Sequence, residues 1–112
     1  MDNEVVVLLA LHLELKAQGA ERVLMDAVLR KTNYLFGVQQ MTGLKTSVFR
    51  EIVKRLQAFG LLTLQIESHK ITENVFLQLN VFDDELVTGF LEKEEALKIA
   101  SRYEHLNEAF QN

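Results

Sequence analysis

Three histidines, a run of carboxylates and a cluster of cations are the groups in this chain that could do chemistry. His12, His69 and His105 stand far apart. His12 is followed by Lys16 and His105 by Glu108, which are ordinary helix-surface neighbours and do not resemble a zinc motif. Asp83, Asp84 and Glu85 are adjacent, and paired carboxylates can do acid–base work. Acidic residues opening a helix also complement its dipole, and that role accounts for these three. No spacing suggests a Ser-His-Asp triad. The five glycines stand singly, without a Walker or Gly-x-Gly-x-x-Gly pattern. Cysteine is absent, which removes disulfides and thiolate metal sites. The expectation is a non-catalytic chain with no metal site and no cofactor.

The cations are more informative. Residues 41–60 carry Lys45, Arg50, Lys54 and Arg55 against the single carboxylate Glu51. The last stretch, 81–112, has the opposite balance: Lys93, Lys98 and Arg102 stand among acidic residues such as Glu92, Glu94, Glu95, Glu104 and Glu108. The whole chain has a net charge of −4, so one basic element sits in an acidic protein. Each charged stretch can be read as a solvated helix face. The sharper reading is that the basic face meets phosphate. Lys45 and Arg50 are then within reach of phosphates or base edges, with Lys54 and Arg55 further along. Lys70 would add a contact from a neighbouring hairpin. So few cations give weak, strongly salt-dependent binding.

These residues need elements to position them. The chain has 112 residues, 48% of them hydrophobic, which suits one domain spanning 1–112. The run from Val5 to Leu11 follows Asp2 and Glu4 rather than a basic segment, and it is too short to span a bilayer. It reads as a central buried helix over 4–17, stopped by Gly19. A second helix is predicted from Ala20 to about Gln40, with room for a bend or an early stop near Gly37. Met41-Thr42-Gly43 is the turn, with Gly43 supplying a left-handed or open backbone. Thr46 is the expected N-cap of a third helix. Its buried stripe is predicted as Val48, Phe49, Ile52, Val53, Leu56 and Phe59, and Gly60 ends it.

Two alternating segments follow, Leu61–Glu67 and Asn74–Val81, joined by a short polar tip. Val75, Leu77, Leu79 and Val81 are expected to face in, with Phe76, Gln78 and Asn80 facing out. A fourth helix opens at Asp83, and a fifth covers roughly Lys93 to Phe110. The pattern is that of an α+β winged helix-turn-helix. It has a three-helix core, a two-stranded wing over about 61–81 and additional C-terminal helices, the last over about 93–112. That fold presents one helix to a DNA groove, with the wing beside it.

The run from Phe49 through Gly60 to Leu62, the run from Val75 to Glu92 and the opening Val6–Leu13 carry a resemblance. Over Val5–Glu95 the chain resembles the C-terminal winged-helix domain of the replication initiators of the origin recognition complex and cell-division-cycle family. In that family the domain follows an AAA+ ATPase module, helps bind origin DNA and packs on neighbouring subunits. The resemblance implies double-stranded DNA as a partner, together with other initiator subunits or the MCM helicase. It implies Lys45, Thr46, Ser47, Arg50 and Lys54 as the DNA-facing residues of the third helix, and His69 and Lys70 as the wing tip. A nuclear location would follow in a eukaryote and a cytoplasmic one otherwise.

Two alternatives stand beside DNA binding. Phe76 on the outer face of the wing, the short wing with one lysine and the acidic tail favour a winged helix used mainly for protein contacts. The apolar stripe of the fifth helix would suit the dimer of a winged-helix transcriptional regulator.

Overall fold

The computed structural model describes residues 3–69 and 71–80. Three helices and three short strands occur in the order α1 (Asn3–Gln18), β1 (Val23–Leu24), α2 (Met25–Val38), α3 (Thr46–Ala58), β2 (Leu62–His69) and β3 (Thr72–Leu79). The strands form one antiparallel sheet in the order β1-β3-β2. This is the α+β winged-helix arrangement. The fourth and fifth helices expected from the sequence lie outside the described residues.

Seven consecutive residues of α1, Val5 to Leu11, are at most 4% exposed. A helix turns about 100° per residue, so burial of seven in a row means that α1 is covered on every side. Its neighbours include α2, α3, β1 and β3. The core continues through Val28, Leu35 and Phe36 of α2, Phe49, Ile52 and Leu56 of α3, and Leu77 of β3. Burying each such side chain contributes roughly 1.5–3 kcal/mol, and the core is what holds α3 and the wing in fixed relation.

All three helices close with the same pair of backbone hydrogen bonds. Ala20 N–H donates to Leu15 C=O and Gly19 N–H to Lys16 C=O. Met41 N–H donates to Phe36 C=O and Gln40 N–H to Gly37 C=O. Leu61 N–H donates to Leu56 C=O and Gly60 N–H to Gln57 C=O. This is the Schellman closure, which places one residue in the left-handed region. Gly60 takes that conformation at φ 79°, and Gln40 takes it at φ 61° despite its side chain.

The structure corrects several expectations. α2 begins at Met25 rather than Ala20, because Val23 and Leu24 are extended and pair with Leu77 and Phe76. The wing is thus two strands of a three-stranded sheet. Gly43 is not the left-handed residue of the turn; Gln40 is. Thr46 is the first residue of α3 and not its cap. Lys45 holds the cap position with extended backbone and makes no side-chain capping bond. The buried stripe of α3 is narrower than predicted: Phe49, Ile52, Val53 and Leu56 are buried, while Val48 is 41% and Phe59 68% exposed.

Candidate nucleic-acid interface

The position of α3 is set where it begins. Asn33 of α2 accepts a hydrogen bond from Leu44 N–H at 2.8 Å, and its Nδ2 donates to Leu44 C=O at 3.4 Å. Gly43 passes so close to this amide that a Cβ there would lie 2.6 Å from Asn33 Oδ1. The glycine is required for space. At the other end, Asn80 fastens the base of the wing to the end of α3. Its backbone N–H donates to Leu61 C=O, and its Nδ2 donates to Gly60 C=O at 2.7 Å. Thr63 Oγ1 of β2 donates to Asn80 Oδ1. Asn80, expected to face outward with Gln78, meets Thr63, the cross-strand partner of Gln78, and so ties two elements together from that face.

Held this way, α3 turns Lys45, Thr46, Ser47, Arg50 and Lys54 to solvent. Lys45, Arg50 and Lys54 form no ion pair with any described residue. Arg50 and Lys54 are four residues apart and so point to one side of the helix. Arg55 is turned about 100° from Lys54, toward α1. Its guanidinium lies 3.3 Å from the Glu4 carboxylate. Arg55 therefore stands apart from the other cations of α3. His69 ends β2 opposite Thr72. Lys70 lies outside the described residues.

The outer face of the sheet is arranged differently. Arg22, just before β1, donates to Gln65 Oε1 at 3.0 Å and forms an ion pair with Glu67. Its guanidinium stacks over the Phe76 ring at 4.1 Å from the centroid. Phe76 is half-buried, not the exposed aromatic expected, because a cation covers it. The exposed apolar groups of the wing are instead Ile71 at its tip, 98% exposed, and Ile66 of β2.

Between α3 and the wing lies a crevice of about 150 Å³, lined by Leu24, Asp26, Arg50, Glu73, Asn74 and Val75 among others. No local pattern in the sequence signals it. Asp26 opens α2 and Glu73 is near the start of β3, and only the folded chain brings them to one cleft. Asn33 is equally silent in the sequence, since its role depends on a turn ten or so residues away. Among the described residues no group of three or more metal-ligating side chains comes together. No helix among them is long and apolar enough to cross a membrane.

No family model matches the sequence, and no curated protein matches it. Several solved structures share the fold. A chain of the Drosophila ORC bound to DNA superposes with a TM-score of 0.63 at 16% identity, over 82% of this chain and 23% of that one. Cdc6p from Pyrobaculum aerophilum gives 0.59 at 14% identity, over 82% of this chain and 24% of that one. The circadian clock associated protein Pex from Anabaena gives 0.57 at 12% identity, over 96% of this chain and 84% of that one. The chain thus spans about a quarter of the length of the two initiator chains and most of Pex. At these identities the likeness is one of fold: a winged helix, as ORC and Cdc6p, members of the family the sequence resembles, also carry.

Proposed function

We propose that the chain is a non-catalytic winged-helix module of replication-initiator type that contacts double-stranded DNA through α3 and the wing. The observation that carries this reading is the set of untied cations. Arg22, Lys31 and Arg55 each have a carboxylate partner. Lys45, Arg50 and Lys54, like Lys16 and Arg30 on the other helices, have none among the described residues; Arg50 and Lys54 share one exposed side of α3 and Lys45 stands exposed at its start, where a phosphate backbone can be met. Few cations face outward, so binding by the domain alone is weak and falls steeply with salt. Neighbouring initiator subunits or the helicase would supply the remaining affinity, in the nucleus if the source is eukaryotic. Combining Arg50→Glu with Lys54→Glu is expected to abolish DNA retention in a low-salt titration while circular dichroism stays unchanged. Unchanged binding by the double variant refutes the reading.

The exposed Ile71 at the wing tip and Phe59 at the end of α3 favour a second reading, in which protein contacts dominate. A chain that shows no DNA binding at low salt yet binds purified initiator or helicase subunits would decide for it. A winged-helix transcriptional regulator is the third reading. Dimers in sedimentation would support that variant, and monomers would count against it.

A further inference from the structure

The crevice between α3 and the wing has a wall of the wrong sign for DNA. We propose that it is a docking site for an extended, basic segment of a partner protein, which adds as a strand to the edge of β3. β1 covers β3 only at Phe76 and Leu77. From Glu73 to Val75 the same edge has no strand beside it among the described residues. Such an edge offers its backbone N–H and C=O groups to an incoming extended chain.

The lining selects the kind of chain. Asp26 and Glu73 are both exposed, and neither forms an ion pair with a described residue, Arg50 included. A lysine or arginine on the incoming strand meets two carboxylates without an ion-pair partner there, against the single cation Arg50, so the lining is acidic in balance. Aliphatic surface completes the site. Leu24, 42% exposed, and the half-buried Val75 belong to its lining. A volume of about 150 Å³ holds one or two side chains and no large ligand, so recognition rests on the backbone edge and on charge. The site stands whether or not α3 meets DNA.

The test uses the full chain and two short synthetic peptides, one alternating valine with lysine and one alternating valine with glutamate. Backbone amide shifts in NMR report the binding. The lysine peptide is expected to move the amides of Leu24–Asp26 and Glu73–Val75, and the glutamate peptide to leave them in place. Asp26→Asn combined with Glu73→Gln should weaken the lysine peptide by about tenfold, the worth of one charge-assisted hydrogen bond. Equal binding of the two peptides overturns the proposal, as do shifts confined to the outer edge of β2 or undiminished affinity of the double variant. So do concentration-dependent shifts without peptide, which would mean that a second copy of the chain takes the site. DNA retention by the same variant is expected to hold or rise, so failure here leaves the DNA reading standing.

Discussion

Arg22 and Arg50 are the same residue type put to opposite uses. Arg22 directs its donors within the protein, to Gln65 and Glu67, and covers Phe76 with its flat face. It ties the segment before β1 to both wing strands. Arg50 sits on α3 with no carboxylate partner among the described residues, although Asp26 and Glu73 line the same crevice. A cation already satisfied by its own chain has little to gain from a phosphate. One left unsatisfied is available to a ligand and contributes little to the fold. The difference separates a sheet face tied within the protein from a helix face left open to solvent.

That contrast can be broken at several points. The largest effect is expected from Arg50→Gln with Lys54→Gln. Removing two charge-assisted hydrogen bonds should weaken DNA binding by about 3 kcal/mol, roughly a hundredfold, with thermal unfolding unchanged. Gly43→Ala forces a Cβ against Asn33 and disturbs the start of α3. It should lower stability by about 1–3 kcal/mol in urea unfolding and weaken DNA binding as well. Arg22→Ala should cost about 1–2 kcal/mol of stability, from the stacked ring, the ion pair and the hydrogen bond together, and leave DNA binding intact. Arg50→Ala should do the reverse, with stability within about 0.5 kcal/mol of the parent. The smallest change is Gln40→Gly. It relieves the left-handed glutamine between α2 and α3 and should raise stability by about 0.5–1 kcal/mol, measured by denaturant midpoint.

What is legible in the sequence follows from the length of each signal. α3 can be read within a residue or two because its apolar spacing repeats over several turns, and α1 because its apolar run is unbroken; Gly60 and Gly19 stop them. The two-residue β1 carries no period at all. It exists because β3 offers it an edge, so no local pattern could separate it from the helix that follows. Val48 and Phe59 look like stripe residues by type. Their exposure is decided by which neighbours α3 packs against. The basic face of α3 is legible for the same reason as its helix. The split within it is not, since Glu4, which holds Arg55, lies fifty or so residues away in the chain. Phe76 looks exposed from the alternation of β3 alone, because the cation that covers it comes from before β1.

The most direct test of the untied face is the salt dependence of DNA binding by the full chain and by the Arg50→Gln, Lys54→Gln variant. The logarithm of affinity against the logarithm of salt concentration should be shallower in the variant by about 2, close to one unit for each phosphate that the variant leaves unneutralised. Identical slopes for the two proteins would contradict DNA contact through this side of α3.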